Sequence, residues 1–387
     1  MIASASCFSQ VLSLVDRHAF WQAVNAWKAE KGAKGFSSWA HFVAMLFCQM
    51  GSADSLREIC GGLATALGKV IHLGLKAAPK RATLAYANEH RPWQLYETVF
   101  HSVLARCQGV AAARGRKFRF KNPLRSLDAS VIDLCLKTFD WARFRRTKGA
   151  IKLHLLLDHQ GCLPCWALVT EGRKHDIHGA RSLNFVSGTI VAMDRGYNDY
   201  RLFASWTAAG VFFVTRMKDN ALYEVVERRT VQGTRIRRDE VIYLAGTDAL
   251  DKCPHLLRRI VVWDEEHERE IVLLTNLLKF AASTIASIYK ERWQIELFFK
   301  ALKQNLKVKT FVGTSENAVK TQIWTALIAM LLLKFLQLKS SWKWSLSNLA
   351  AMLRFNLLTY RDLWAWLNDP FGVPIQTPAA EQLAFPI

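Results

Sequence analysis

Four side chains suited to phosphate chemistry recur at helical spacing in TIASIYKERWQIELFFKALKQN, from Thr284 to Asn305. With Thr284 as N-cap and neither Gly nor Pro inside, the stretch predicts one helix of about six turns. At roughly 100° per residue, Tyr289, Arg292, Glu296 and Lys303 share a stripe about 60° wide. Ile288, Ile295, Phe298, Phe299 and Leu302 form the adjoining apolar arc. One carboxylate thus stands at the margin of a buried face, flanked by cations. A salt-bridged helix rim would look the same. Catalysis by a carboxylate site needs further acids from the rest of the chain.

Two further acids stand where solvation alone cannot explain them. Asp128 lies inside the strand-like run LRSLDASVIDL, where an acid among apolar neighbours is costly without a partner or ligand. Asp194 follows the apolar run IVAM directly. From Phe120 onward, short β-rich runs (LRSLDASVIDL, AIKLHLLLDHQ, CLPCWALVTEG, GTIVAMDRGY) precede a helix-like DYRLFASWTAAG and a fifth strand, VFFVTRM. That order is expected of a ribonuclease-H-like α/β sheet, in which the first and fourth strands are neighbours. Asp128 and Asp194 then emerge side by side, and a late helix brings Glu296 to them. Three close carboxylates repel unless cations neutralise them. Oxygen ligands favour magnesium or manganese. Two such ions about 3.5–4 Å apart can activate a water or 3′-hydroxyl and stabilise the leaving oxygen of a phosphodiester. Arg292 and Lys303 would hold phosphates, and Tyr289 would stack or hydrogen-bond beside them. Among rival acids, Asp133 and Asp199 fall on the opposite strand face and Glu291 lies off the helix stripe, whereas Asp140 and Asp158 sit at turns.

Composition narrows the partner. The 387 residues carry 52 Lys and Arg against 32 Asp and Glu, a net charge of +20, and 51% are hydrophobic. Such a chain is folded and favours a polyanion through counterion release. Its eight cysteines include a single CxxC, Cys162 and Cys165, with no second pair at zinc spacing, and read as reduced packing thiols. No signal peptide is apparent, and the apolar run 323–338, interrupted by Lys334 and Gln337, reads as a buried helix.

Texture divides the chain into an all-helical region (1–112), the first part of the α/β core (113–219), an inserted antiparallel β subdomain (220–282), the last part of the core (283–340) and a helical Trp-rich tail (341–387). In the first region, a helix broken at Gly61-Gly62 and followed by a basic segment is compatible with helix-turn-helix binding of DNA, with Lys80, Arg81 and Arg91 as contacts. The tail tryptophans 342, 344, 364 and 366 fall at core or dimer-surface spacing.

The spacing Tyr289-x2-Arg292-x3-Glu296-x6-Lys303 resembles the signature of bacterial DDE transposases of the insertion-sequence-four family. Leu-Asp128-Ala-Ser130 and Met-Asp194-Arg-Gly-Tyr look like that family's other two blocks, and TLAYANEHRPWQLYETVF is similar to its leading domain. The resemblance implies cleavage at the ends of a mobile element and strand transfer into target DNA. Asp128, Asp194 and Glu296 would hold two magnesium or manganese ions, and the protein would work as a homodimer on double-stranded terminal repeats. It implies a cytoplasmic, nucleoid-associated protein. Relatives pass through a hairpin and hold a flipped base with an aromatic residue in the insertion. Trp263, the only tryptophan there, is the candidate, with a core-facing role as its alternative. Two other readings stay open: a nuclease or resolvase without strand transfer, and an inactive DNA-binding derivative.

Overall fold

The computed structural model describes residues 5–66, 69–135, 139, 141–145, 148–173, 176–231, 234–246 and 248–372. Six helices come first: α1 (Cys7–Leu12), α2 (Arg17–Ala26), α3 (Ser38–Met50), α4 (Leu56–Ala64), α5 (Arg81–His90) and α6 (Gln94–Ala112). Side-chain caps start several of them, with Asp16 accepting from the N–H groups of His18 and Ala19, and Ser37 from that of Ala40. Helix α3 is buried along its whole length.

The expected break at Gly61-Gly62 is absent, because α4 runs through both glycines. They serve close packing instead. A Cβ on Gly62 would lie 2.7 Å from the Phe47 ring, whereas one on Gly61 would meet nothing within 4 Å. Gly61→Ala should therefore stabilise the protein by about 0.5–1 kcal/mol through helix propensity. Gly62→Ala should lose that gain to overpacking of about 1–3 kcal/mol. Thermal melting of the two variants, with midpoints moving in opposite directions, checks this. Residues 65–80 separate α4 from α5, far more than the 3–4-residue turn of a helix-turn-helix, so that motif is not formed here.

The sheet follows. Its strands are β1 (Leu124–Leu134), β2 (Arg143–Arg145), β3 (Lys148–Asp158), β4 (Leu163–Glu171), β5 (Ile190–Met193), β6 (Phe212–Arg216), β7 (Tyr223–Arg228), β8 (Ile236–Leu244), β9 (Leu257–Asp264) and β10 (Arg269–Thr275). Helices α7 (Asp176–Arg181) and α8 (Tyr200–Ala208) flank β5, and α9 (Ala249–Lys252) follows β8. The order across the sheet is β2-β3-β1-β5-β6-β10-β9-β8-β7, with β4 also paired to β3. Strand β1 runs antiparallel to β3 and parallel to β5, which is parallel to β6. Strands β7–β10 are antiparallel, as expected of the insertion. They extend the central sheet, because β10 pairs with β6.

The chain closes with α10 (Ala282–Glu291), α11 (Trp293–Asn305), α12 (Glu316–Lys339), α13 (Leu346–Asn356) and α14 (Leu363–Asn368). The single helix predicted over Thr284–Asn305 is two helices that turn at Arg292. Tightened bonds mark the turn, from the Arg292 N–H to Tyr289 O and from the Ile295 N–H to Arg292 O, both 3.1 Å. The two halves serve different cores. Ile285 and Ile288 of α10 pack with Leu124, Ile190, Ala192 and Val214, while Ile295, Phe298, Phe299 and Leu302 of α11 join the large helical core. Each fully buried side chain contributes about 1.5–3 kcal/mol, which fixes the two seats on either side of the break at Arg292.

Helix α12 is the one described helix long and apolar enough to cross a membrane, and 89% of its apolar window is buried inside the fold. It shares one core with α1–α6 and with α13–α14. Its Gln322 pins the chain after α11, donating to Lys307 O and Thr310 O at 2.7 Å and accepting from the Val312 N–H at 2.9 Å. All eight cysteines are free thiols. Among the tail tryptophans, Trp344 and Trp366 are buried with rings 5.5 Å apart, and Trp342 and Trp364 are partly exposed.

Candidate active site

Strand parity sets the site. In β1 and β5 the even-numbered residues Leu124, Ile190 and Ala192 face the α10 side, and the odd-numbered Leu127, Val191 and Met193 face the other. The last register pair between these parallel strands is Leu127 with Met193, so Asp128 and Asp194 are the next residues on each. Both are even-numbered and belong to the face that α10 and α11 cover. Asp194 sits where β5 ends and a short 3-10 turn begins, and its side chain does not cap that turn.

Arg292, at the break between α10 and α11, reaches two of the acids. It donates from Nη1 to Asp128 Oδ2 at 3.2 Å and from Nη2 to Glu296 Oε1 at 2.6 Å. Burial pushes the Asp128 carboxyl up to about 6; the Ala129 N–H and Arg292 pull against that shift, and Glu296 and Asp194 add to it. Burial also opposes the charge of Arg292, but Tyr289, Glu296 and Asp128 outweigh it and hold the guanidinium above its ordinary range. The Tyr289 ring lies 5.7 Å from the Arg292 guanidinium, and burial raises its phenol. Lys303 donates to Val131 O at 3.0 Å, tying the far end of α11 to β1. Burial and Lys309 lower its ammonium against the pull of Asp133.

The donor set suits a hard divalent cation: oxygen ligands only, with one carboxyl raised by burial and by its acidic neighbours. Among the described residues, no three His, Cys, Asp or Glu side chains converge closely enough to hold one ion. Arg292 supplies the positive charge in this arrangement.

The rival acids are engaged elsewhere. Asp133 is exposed, Asp158 pairs with Arg125, Asp199 caps α8 and pairs with Arg181, and Glu291 pairs with Lys117. Asp140 lies outside the described residues.

The basic residues separate into two kinds. Lys80 and Arg81 are exposed at the start of α5, whose N-terminus has no side-chain cap. Arg91 is a correction, because it is 8% exposed and its guanidinium donates to Ser37 O at 2.7 Å and to Phe36 O. Those bonds fasten the loop before α3 and leave Arg91 no face for DNA. Trp263, on β9, is half-buried with the Arg237 guanidinium 5.4 Å over its ring. Sequence reasoning missed Tyr197, whose buried hydroxyl has no hydrogen-bond partner among the described residues and is raised by burial, then by Asp176, Asp128 and Asp194. It also missed Arg258, whose only signal was a basic pair inside the strand LRRIVVW.

Comparison with known proteins places this geometry in a family. Residues 119–332 match the transposase DDE domain, and residues 3–76 match a domain of unknown function (DUF4372). The protein y4zB of Sinorhizobium fredii, named as a transposase, is 32% identical over 262 residues, covering 66% of this chain and 71% of its own. A protein named as the transposase of insertion sequence element IS5377 in Geobacillus stearothermophilus is 29% identical over 279 residues, covering 71% and 72%. One named for insertion sequence element IS4SA in Synechocystis is 31% identical over 221 residues, covering 54% and 59%. The domain match spans more than half of the chain and contains Asp128, Asp194 and Glu296: this chain belongs to the DDE transposases of the insertion-sequence-four family.

Proposed function

We propose that this DNA transposase cuts and joins DNA with Asp128, Asp194 and Glu296 as its catalytic carboxylates, on a ribonuclease-H-like core. The observation that carries the assignment is the placement of Asp128 and Asp194 at adjacent positions of parallel strands, with Glu296 joined to Asp128 through Arg292. The family uses divalent metal; magnesium or manganese, two ions per site, is the occupancy that three carboxylates would support. When bound, such ions activate the attacking oxygen and stabilise the leaving one.

The chain's own residues do the rest. Asp128 and Asp194 present oxygens from a rigid sheet, and Glu296 completes the set from a helix seated by Phe298, Phe299 and Leu302. Arg292 neutralises the acids in the free protein, and its planar fork suits a backbone phosphate once DNA arrives. Lys303, tied to Val131 O, would offer the same backbone a point charge, and Tyr289, beside Arg292, would stack or hydrogen-bond near it. Exposed Lys80 and Arg81, at an uncapped helix start, supply an anion-binding end for the element's terminal repeats. Trp263 with Arg237 is the candidate for holding an unstacked base, its incomplete burial favouring that role over core packing. The partners are double-stranded terminal inverted repeats and target DNA, engaged by a homodimer in the cytoplasm at the nucleoid.

Incubating the full-length protein with magnesium, target plasmid and a duplex carrying the DNA that flanks its reading frame tests the reading. Cleavage with joining is expected. Cleavage alone would favour a nuclease, and binding alone an inactive derivative. In the same duplex, Lys80→Ala/Arg81→Ala should bind more weakly and flatten the salt dependence by about 1–2 in slope, with an unchanged melting temperature. Unaltered affinity across a salt titration would place end recognition elsewhere.

A further inference from the structure

We infer that Arg258 and Asp239, buried in the inserted strands, are positioning residues that set the pose of the helix pair carrying Glu296. The inference rests on Glu296 being a catalytic carboxylate, and it concerns how that carboxylate is aimed. Arg258 on β9 and Asp239 on β8 have side chains 4% and 5% exposed. Their pairing is a two-pronged fork, from Nε to Oδ1 at 2.7 Å and from Nη2 to Oδ2 at 2.6 Å.

The remaining nitrogen of Arg258 does not serve the strands. Nη1 donates to Phe280 O at 2.5 Å and to Leu277 O at 3.2 Å, in the segment that leaves β10 and enters α10. Arg229 donates to Leu278 O, in the same segment, at 2.6 Å. Backbone carbonyls that have left the sheet and not yet entered a helix need partners when buried. Here arginines of the insertion provide them. Ala281, before α10, offers no side-chain cap, so the start of that helix is held by this grip and by the packing of Ile285 and Ile288. The residue type is dictated: a guanidinium can fork onto a carboxylate and still reach carbonyls, and an ammonium cannot do both.

Leverage makes the grip matter for chemistry. Ala282 precedes Arg292 by roughly 15 Å of helical rise, so a tilt of about 4° at the start of α10 moves its far end, where the helix of Glu296 begins, by about 1 Å. A misplacement of that size costs about 10²-fold in rate.

The experiment compares full-length Arg258→Lys, Arg229→Gln and Glu296→Gln in single-turnover cleavage of end-containing DNA, with DNA affinity and magnesium half-saturation measured alongside. For Arg258→Lys the expected result is a rate constant lower by about 10²-fold, unchanged DNA affinity and a higher magnesium half-saturation; for Arg229→Gln the loss is about 5–10-fold. A purely structural role would lower the amplitude, as folded protein is lost, while the rate constant and magnesium midpoint stayed at wild-type values. That pattern would overturn the inference. If Arg258→Lys does not fold, Arg229→Gln decides alone, and a wild-type rate constant and midpoint there would overturn it. Cleavage by Glu296→Gln would overturn the reading of Glu296 and this inference with it. Loss in Glu296→Gln beside normal rates in the two arginine variants overturns the inference alone.

Discussion

Asp128→Asn and Glu296→Gln should bind end-containing DNA and fail to cleave it, with rates down by about 10²–10³-fold or more. Each change removes one carboxylate oxygen set and little volume, so the fold survives. For Asp128 the sign of the stability change follows from its carboxyl, which is raised from 3.8 to about 6. The folded protein holds this proton more tightly than the unfolded chain does, so between those pH values stability falls as pH rises. Above pH 6 the ionised group is a net cost to folding, on the order of 1–3 kcal/mol. Asp128→Asn should therefore melt at or above the wild-type temperature at pH 7.5, and the advantage should vanish near pH 4. Thermal melting across that range checks it, and a variant less stable than wild type at pH 7.5 contradicts it.

Arg292→Ala removes the side chain that, among the described residues, touches two of the proposed catalytic acids. As a partner of surface acids only, its loss would cost some tenths of a kcal/mol and leave cleavage intact. Its side chain is 13% exposed, however, and Asp128 and Glu296 would be left facing each other without counter-charge. Cleavage should fall by about 10²-fold or more at saturating magnesium. Without DNA, the same variant should bind manganese more tightly than wild type, because its carboxylates no longer share their charge with a guanidinium. Binding measured by electron paramagnetic resonance separates the two effects. Arg292→Lys keeps the charge and loses the fork, so it should recover only part of the rate.

The placement of the proposed site residues was legible because its geometry is local. Asp128 was marked as an acid inside an apolar strand and Asp194 as an acid directly after one, and period-two alternation put Asp133 on the other face of β1, whereas Asp199 is no strand residue and caps α8 instead. Glu296 and Arg292 were marked by a spacing of four on a helix. The break at Arg292 was not legible, because the two halves serve two cores and no Gly or Pro announces it. Gly61 and Gly62 misled for the converse reason: glycine reads as a break in sequence, but the Phe47 ring across from Gly62 shows a close approach of helices. Arg91 reads as a surface cation and is consumed by two carbonyls 54 and 55 residues away in sequence. The strands of the insertion were visible one by one, but not their fusion into the central sheet, since pairing of β10 with β6 is non-local.

The most direct measurement is metal rescue. Asp128→Cys, Asp194→Cys and Glu296→Cys each exchange an oxygen ligand for sulfur, which magnesium tolerates poorly and softer manganese accepts better. Single-turnover cleavage of end-containing DNA, run in each metal with DNA binding confirmed, reads the result. If these three carboxylates form one metal-dependent site, all three variants are inactive in magnesium and at least partly restored in manganese. Wild-type cleavage in magnesium by any one of them contradicts it.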